Sequence, residues 1–258
     1  MKIHQIYTDN ALRNFSYIIE LNNKNAFAVD PWNAEIINRV LTKNNLNLIA
    51  VINTHEHWDH VQGNQELVDL HDCEVWAHEI GRGKIPAQTR YLQAAERLVL
   101  DKSTQLEVID TPGHSQAHLC FIIYLRGRAH SIFTGDIVFN AGVGNCHNGD
   151  VEKLYQTIQN KIATLPNDIC ILPGHEYMEN NLKFTLDREP SNIKASQWLK
   201  KYQQSNIHEN ALQTTLADER DINTFLRLNE DEIKNNLPHK GSDEKETFMA
   251  LRALRDKW

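Results

Sequence analysis

Cysteine is scarce in this chain and is not arranged to form a bonded framework. Four cysteines occur in 258 residues, and none of them belongs to a CxxC pair. A disulfide framework is typical of short secreted chains rich in cysteine, so that way of stabilising the fold is excluded. We expect four reduced thiols, which indicates a reducing compartment and favours the cytoplasm.

Long apolar runs and basic clusters are also missing. No stretch approaches the roughly 18 apolar residues of a membrane-spanning helix, and the N-terminal segment lacks the apolar core of a signal peptide. The net charge is −7, and Lys and Arg gather only in the last few residues. Because nucleic-acid binding normally needs a basic face, neither a membrane nor a nucleic acid is expected as a partner.

What the chain does contain is an ordinary globular composition with an unusual number of histidines. The sequence is 41% hydrophobic and 24% charged, and it has 13 histidines. Its length allows one large domain, or a main domain with a smaller one. Several of the histidines stand in short motifs directly after apolar runs, so those motifs are the place to look for chemistry.

Strand-like and helix-like segments alternate over the first two thirds of the chain. Apolar runs predict strands at residues 15–21, 26–29, 48–52, 74–77, 106–110, 118–125, 129–134 and 169–172. Apolar residues at helical spacing predict helices over 33–41 and 151–165, the second capped by Asp150. A strand-rich catalytic domain is therefore predicted over residues 1–175.

The pattern changes at Glu176, after which no convincing strand is predicted. Helical spacing predicts helices at residues 180–188, 193–204, 221–228 and 244–257. Residues 176–258 are therefore predicted to form a second, helical domain.

Potential metal ligands follow four of the predicted strands, where rigid strands fix the positions of loops. They are His55, His57, Asp59 and His60 after strand 48–52, His114 after 106–110, Asp136 after 129–134, and His175 after 169–172. The HxHxDH motif is the most specific of these signals, because clustering so many ionisable groups without a cation to neutralise them would be costly.

The spacing divides these side chains between two metal sites. One site is predicted to take His55, His57 and His114, and the other Asp59, His60 and His175. Asp136 has two carboxylate oxygens and is predicted to bridge both metals, beside a shared hydroxide that Asp59 helps to orient. Imidazole and carboxylate suit zinc, iron and manganese, so the residues alone leave the metal open.

The motifs THEHWDH, TPGHSQAH, FTGD and PGHEY, in this order over residues 54–177, resemble those of the metallo-β-lactamase superfamily. This resemblance implies an αββα sandwich, in which helices cover two packed β-sheets, and it implies the same ligand roles. Within the superfamily the chain is most similar to the glyoxalase II group, the hydroxyacylglutathione hydrolases. The similarity continues through EYMENNLKF, the segment NTFLR and the basic end LRALRDKW, and so covers essentially the whole chain.

The glyoxalase II resemblance implies a monomeric cytoplasmic thioester hydrolase that uses two divalent metals. Zinc is the first choice for these metals. Its substrate would be S-D-lactoylglutathione, cleaved to D-lactate and glutathione in the second step of methylglyoxal detoxification. Tyr177, Arg252 and Arg255 would hold glutathione in the helical domain. From spacing alone, however, the two arginines also fit a solvated basic helix end.

Two positions depart from the family pattern. Asn145 stands where Lys or Arg is usual, and His147 where Tyr or Phe is usual. Both positions are expected to contact glutathione, and both side chains still donate hydrogen bonds, so we expect weaker binding with the same reaction.

Other functions of the same fold remain as alternatives. One is a hydrolase that acts on another thioester or on a phosphodiester, and another is a metal-binding module without catalysis. Turnover of a thioester distinguishes them, since a non-catalytic module would bind metal and hydrolyse nothing.

Overall fold

A computed structural model describes residues 1–238 and 243–258. Twelve of its strands form two six-stranded sheets. The first sheet has the order β1-β2-β3-β4-β5-β6, antiparallel from β1 to β3 and parallel from β3 to β6. Its strands are β1 (Lys2–Tyr7), β2 (Phe15–Glu20), β3 (Asn25–Val29), β4 (Asn47–Ile52), β5 (Glu74–His78) and β6 (Arg90–Leu92).

The second sheet has the order β14-β13-β10-β9-β8-β7, with one parallel pair between β10 and β13. Its strands are β7 (Arg97–Val99), β8 (Thr104–Asp110), β9 (Leu119–Leu125), β10 (Arg128–Gly135), β13 (Cys170–Pro173) and β14 (Thr214–Thr215). A small hairpin of β11 (Val138–Phe139) and β12 (Gly142–Val143) stands apart from both sheets.

Among the described residues, four α-helices precede residue 175 and six follow it. The first four are α1 (Ala34–Asn44), α2 (Trp58–Val61), α3 (Asn64–His71) and α4 (Val151–Thr157), which continues as a π-helical turn over Ile158–Ile162. The others are α5 (Met178–Arg188), α6 (Ile193–Gln203), α7 (Ile207–Asn210), α8 (Leu216–Ile222), α9 (Asp231–Asn235) and α10 (Glu244–Arg255). No helix among the described residues is long and apolar enough to cross a bilayer.

The alternation of side chains along the strands places apolar residues on both faces of each sheet. The inner faces meet in one core, where Phe27 and Ile52 of the first sheet pack with Phe121 and Phe133 of the second. The outer face of the first sheet is covered by α1 and α3, and that of the second by α4 and the later helices. The predicted αββα sandwich with helices after residue 175 is therefore confirmed.

Local sequence signals explain where the elements begin and end. Asn33 caps α1 by accepting a hydrogen bond from the backbone of Ile36, and Asn45 ends the helix in the left-handed conformation. Asp150 caps α4 as predicted. All eight predicted strands are present, with ends within two residues of the prediction.

The predicted helix over 151–165 is present as far as Ile162, and it changes from α-helix to π-helix after Thr157. Two predictions about the elements were wrong. The predicted helix over 221–228 is displaced, because α8 ends at Ile222 and a 3₁₀ turn follows over Thr224–Leu226. A strand does occur after Glu176, since β14 pairs with β13 and extends the second sheet. The domain boundary near residue 175 stays a prediction.

Candidate metal centre

The candidate ligands lie on loops that leave the ends of four strands. β4 leads into the segment from Asn53 to His60, β8 into His114, β10 into Asp136 and β13 into His175. Backbone hydrogen bonds join these loops, among them Leu119 N to the Thr54 carbonyl at 2.7 Å. Both sheets therefore contribute to one buried cluster, as the sequence pattern predicts.

One group of imidazoles comes together around His57. His57 Nδ1 lies 3.1 Å from His55 Nε2 and 2.9 Å from His114 Nε2. One ligand atom from each of the three residues lies within 4.8 Å of the others. This spacing allows three nitrogens to face a single cation.

A second group forms beside the first. His60 Nε2 lies 3.2 Å from His175 Nε2, and Asp59 Oδ2 lies 3.4 Å from each of these nitrogens. These three residues also satisfy the 4.8 Å limit for a shared metal ion. The structure thus brings together the two sets of residues that spacing predicted, whereas their service as ligands stays a prediction.

Asp136 stands between the two groups. Its Oδ1 lies 3.4 Å from His60 Nε2, and its Oδ2 lies 3.4 Å from His114 Nε2. Oδ1 is buried without a hydrogen-bond partner among the described residues. A buried carboxylate oxygen without a partner is costly in a protein alone, but it is the arrangement that a bridging metal ligand needs. The donor set therefore fits a pair of divalent cations.

The far ring nitrogen of each of four histidines is held by another group. Nδ1 of His114 donates to the Asn145 carbonyl at 2.8 Å, and Nδ1 of His175 donates to the Leu12 carbonyl at 2.8 Å. Nδ1 of His55 lies 2.9 Å from Thr54 Oγ1, and Nδ1 of His60 lies 3.0 Å from Asp30 Oδ2. Such partners fix the tautomer and the orientation of the imidazole, and direct Nε2 toward the centre.

Asp30 is a functional residue that the sequence prediction missed. It is buried at the end of β3, where its carboxylate also accepts from Thr54 N at 2.7 Å and Thr54 Oγ1 at 2.6 Å. It contacts His60 through Nδ1, the nitrogen that faces away from His175, and with His55 and His60 it forms a third group of atoms that could hold a metal ion. The available signal was an acidic residue directly after a buried strand.

Two further buried residues hold the carboxylates in place. Asn14 Nδ2 donates to Asp59 Oδ2 at 2.9 Å, and it also donates to the Asp59 carbonyl. His118 Nε2 accepts from the backbone N–H of Asp136 at 3.1 Å, so its Nδ1 carries the proton toward Thr111 Oγ1. His118 stood in a quoted motif without a role, and nothing in the sequence singled out Asn14.

Burial and the opposing charges shift the pKa values of this cluster in both directions. Burial and the neighbouring His60 hold the pKa of His55 well below its usual range. Burial also acts to lower the pKa of His60, but the carboxylates of Asp136, Asp30 and Asp59 outweigh it and raise that pKa to about 10. Against the effect of burial, the facing imidazoles hold the pKa of Asp136 well below its usual range. The carboxylates therefore favour a positive charge at His60, whereas burial disfavours one at His55.

A cavity of about 360 Å³ adjoins the centre and is lined by the predicted substrate-binding residues. They are Asn145, His147, Tyr177, Arg252 and Arg255. The Tyr177 ring stacks on the His175 ring with centroids 5.0 Å apart, so the cavity begins directly beside the second group of ligands.

The two arginines of α10 differ in what they offer to this cavity. Arg252 is buried, and its guanidinium donates to the carbonyls of Val143 and Gly144 and to Asp256. Within the described residues, Arg255 donates one hydrogen bond, from Nη2 to Asn181 Oδ1 at 3.2 Å. Arg255 therefore keeps more of its donors for an anionic group in the cavity.

The chain is similar to known proteins over nearly its whole length. The family model described as "Hydroxyacylglutathione hydrolase C-terminus" matches residues 176–258, and that of the metallo-beta-lactamase superfamily matches residues 10–175. The hydroxyacylglutathione hydrolase of Nitrosococcus oceani is 39% identical over 266 residues, which span 100% of both chains. The cytoplasmic hydroxyacylglutathione hydrolase of Arabidopsis thaliana is 30% identical over 95% of each chain.

Solved structures of lower identity share the fold. The BLEG-1 B3 metallo-beta-lactamase has a TM-score of 0.66 at 22% identity, with 87% of this chain and 99% of that chain covered. ETHE1 from Myxococcus xanthus has a TM-score of 0.66 at 21% identity, with 99% and 98% covered. The two family models and the full-length relatives lead to one conclusion: the chain belongs to the hydroxyacylglutathione hydrolase family of the metallo-β-lactamase superfamily.

Proposed function

We propose that this protein hydrolyses S-D-lactoylglutathione to D-lactate and glutathione, the second step of methylglyoxal detoxification. The observation that carries the proposal is the position of the cavity: its Tyr177 ring stacks on His175, and Arg255 is among the residues that line it. A thiol carrier with a carboxylate can bind there with its acyl end toward the cluster of imidazoles and carboxylates. The full-length relatives named hydroxyacylglutathione hydrolase support the same substrate.

The two groups of ligands would hold two divalent cations. His55, His57 and His114 would hold the first, and Asp59, His60 and His175 the second, with Asp136 shared. Zinc is our first choice, because histidine and carboxylate are among its usual ligands, and iron and manganese are the alternatives. When bound, such cations make water a nucleophile at neutral pH and polarise the carbonyl oxygen of the substrate.

The residues of the chain orient the reacting groups. Asp59 Oδ2 faces the same space as Asp136, so it can accept a hydrogen bond from the attacking water and aim it at the thioester carbon. Asn14 holds this oxygen from behind. The leaving thiol has a pKa near 8.5, so it departs as a thiolate and needs no strong general acid.

The cavity residues would bind the glutathione part. Arg255 would pair with a carboxylate, and the Tyr177 hydroxyl and the side chains of Asn145 and His147 would donate hydrogen bonds. His147 is exposed and Asn145 half-buried, so both can adapt to the ligand. Arg252 lines the same cavity with most of its donors already occupied, so its share in binding is secondary.

A monomer acting in the cytoplasm is the proposed setting. All four cysteines are free, with Cys73 and Cys120 buried, which fits a reducing compartment. The cytoplasmic relative of Arabidopsis thaliana supports the same location.

The test is hydrolysis of S-D-lactoylglutathione by zinc-loaded protein, followed by loss of the thioester absorbance. We expect turnover that a chelator removes and that added zinc restores. Arg255→Met should raise KM about tenfold or more, because a charge-assisted hydrogen bond contributes about 1.5–3 kcal/mol, while kcat stays near the wild-type value. Two bound metals without turnover would contradict the substrate, and turnover of a phosphodiester instead would favour the alternative hydrolase.

A further inference from the structure

We infer that Arg252 is a positioning residue for the metal centre: it holds the segment Val143–Asn145 against His114 and Asp136. The affinity of the first metal site would then depend on a side chain of the last helix. This inference rests on the proposed metal centre but is independent of the substrate.

The hydrogen bonds of Arg252 point to the protein. Nη1 donates to the Val143 carbonyl at 3.0 Å and to the Gly144 carbonyl at 3.1 Å. Nε and Nη2 donate to Asp256 Oδ1 at 3.2 Å and 2.8 Å. A guanidinium has five N–H donors, so these four bonds leave one, and Arg252 cannot form a two-pronged contact with a substrate carboxylate.

The same backbone segment touches the metal ligands on its other side. The Asn145 carbonyl accepts from His114 Nδ1 at 2.8 Å, and Gly144 N donates to the Ile137 carbonyl at 3.2 Å. A Cβ atom on Gly144 would overlap the Asp136 carbonyl oxygen, so the segment passes in close contact with the bridging residue. The segment thus lies between the guanidinium and the first metal site.

The helix that carries Arg252 is itself firmly placed. Phe248 and Leu251 of α10 are fully buried in the core that covers the second sheet. The guanidinium carbon of Arg252 lies 5.6 Å from the centre of the Phe225 ring. A shift of the segment would therefore break its hydrogen bonds to Arg252, which is held by a buried helix. Because the Asn145 carbonyl accepts from His114, Arg252 restrains the position of His114 through this segment.

The inference separates the roles of the two arginines. A substrate ligand affects KM and leaves the affinity for metal unchanged. A positioning residue for His114 affects the affinity for metal, because partners of ligating histidines typically contribute 10–100-fold to it. Arg252 acts through the peptide unit of Asn145, so we expect an effect near the lower end of that range.

The experiment compares Arg252→Met and Arg255→Met in the full-length protein. Zinc affinity is measured by competition with a chromophoric chelator, and the absorption spectrum is recorded after loading with Co²⁺. We expect Arg252→Met to weaken one of the two zinc equivalents about tenfold and to alter the Co²⁺ spectrum. Arg255→Met should keep wild-type zinc affinity and spectrum and show only the raised KM. Lys257→Met, which removes an exposed cation at the same helix end, is the control.

Folding of each variant is checked by circular dichroism. If Arg252→Met does not fold, Arg252→Lys replaces it, because an ammonium still donates to the two carbonyls but loses the paired contact with Asp256. We then expect a loss of zinc affinity of a few fold. Wild-type zinc affinity together with a raised KM, in either Arg252 variant, would overturn the inference. Failure of the wild-type protein to hydrolyse the thioester would overturn the proposed substrate. The comparison of zinc affinities and Co²⁺ spectra would still test the role of Arg252.

Discussion

At the scale of single residues, the centre depends on side chains and carbonyls that touch no metal position. Asp30, Asn14 and the carbonyls of Leu12 and Asn145 each form hydrogen bonds to one candidate ligand. These hydrogen bonds fix the orientation of a ligand before a cation binds, so little further conformational freedom is lost on binding. The behaviour of these outer partners is therefore the sharpest test of the site.

Asn14→Ala should weaken the second metal site. The substitution removes the amide that donates to Asp59 Oδ2 at 2.9 Å. Because Asn14 is only 1% exposed, this hydrogen bond lies in a buried part of the protein. We expect a loss of about 10–100-fold in affinity for one zinc equivalent, measured by chelator competition. Asn10→Ala removes a neighbour that contacts Asn14 but no ligand, and serves as the control. Two zinc equivalents bound with wild-type affinity would refute this role.

Glu219 should make stability depend on pH near neutrality. Burial raises its pKa from 4.5 to about 7, although Thr214 Oγ1, Ala141 N and Asn223 Nδ2 donate to it. A carboxyl whose pKa is higher in the folded state contributes stability that is complete below pH 4.5 and lost as the pH rises through about 7. The loss amounts to at most about 3.4 kcal/mol, at 1.36 kcal/mol per pKa unit.

The measurement is urea unfolding of zinc-saturated protein at pH 5 and pH 8. Glu219→Gln cannot titrate, so its free energy of unfolding should change less between the two pH values than that of the wild type. The amide nitrogen accepts no hydrogen bond, whereas both oxygens of the protonated carboxyl can accept, so the variant should also be less stable at pH 5. Equal pH dependence in both proteins would show that Glu219 has the same pKa folded and unfolded.

At the scale of elements, the strands were easier to predict than the later helices. β4, β9 and β13 are continuous apolar runs that end in turns, and a buried strand requires little more. The predicted helix over 221–228 followed the apolar residues of DINTFLRL, but Asn223 accepts from Phe225 N and starts a 3₁₀ turn there. β14 is two residues long and exists only because β13 offers an edge, which no local pattern records.

The helix α8 should depend on its capping box. Thr215 Oγ1 accepts from Asp218 N at 3.2 Å, and Asp218 Oδ2 accepts from Thr215 N at 2.8 Å. Thr215→Ala should therefore lower the free energy of unfolding by about 1 kcal/mol, measured in urea. Thr215→Ser retains the hydroxyl and should lose less than half of that. An alanine variant as stable as the wild type would mean that the cap adds nothing to this helix.

At the scale of the whole molecule, the sequence revealed the candidate ligands better than their supports. The HxHxDH motif and the single residues after three other strands were recognisable because His and Asp are common metal ligands. The carbonyls of Leu12 and Asn145 could not be predicted, since any residue has a carbonyl and only the tertiary fold places it. Asp30 and Asn14 are far from their partners in the sequence, and only the packing of the sheets brings them close.

Zinc should stabilise the whole fold. The centre joins loops from both sheets, so unfolding destroys it, and a ligand that binds only the folded state adds about 4 kcal/mol at a thousand times its dissociation constant. We expect the melting temperature to fall on chelation and to recover with zinc. The Asp136→Asn variant, which has lost the shared carboxylate, should respond much less. A melting temperature that does not change when zinc is removed or added would contradict the prediction that zinc binding stabilises the fold.

The order of the ligands along the chain also determines when the centre can form during synthesis. His55 precedes His175 in the chain, and Arg252 follows both. A growing chain is extended from its N-terminus at about 5–20 residues per second, so the early histidines wait seconds for their partners. The support for His114 from α10 is made after all the predicted ligands. A metal that binds before α10 has folded would therefore meet a site without that support.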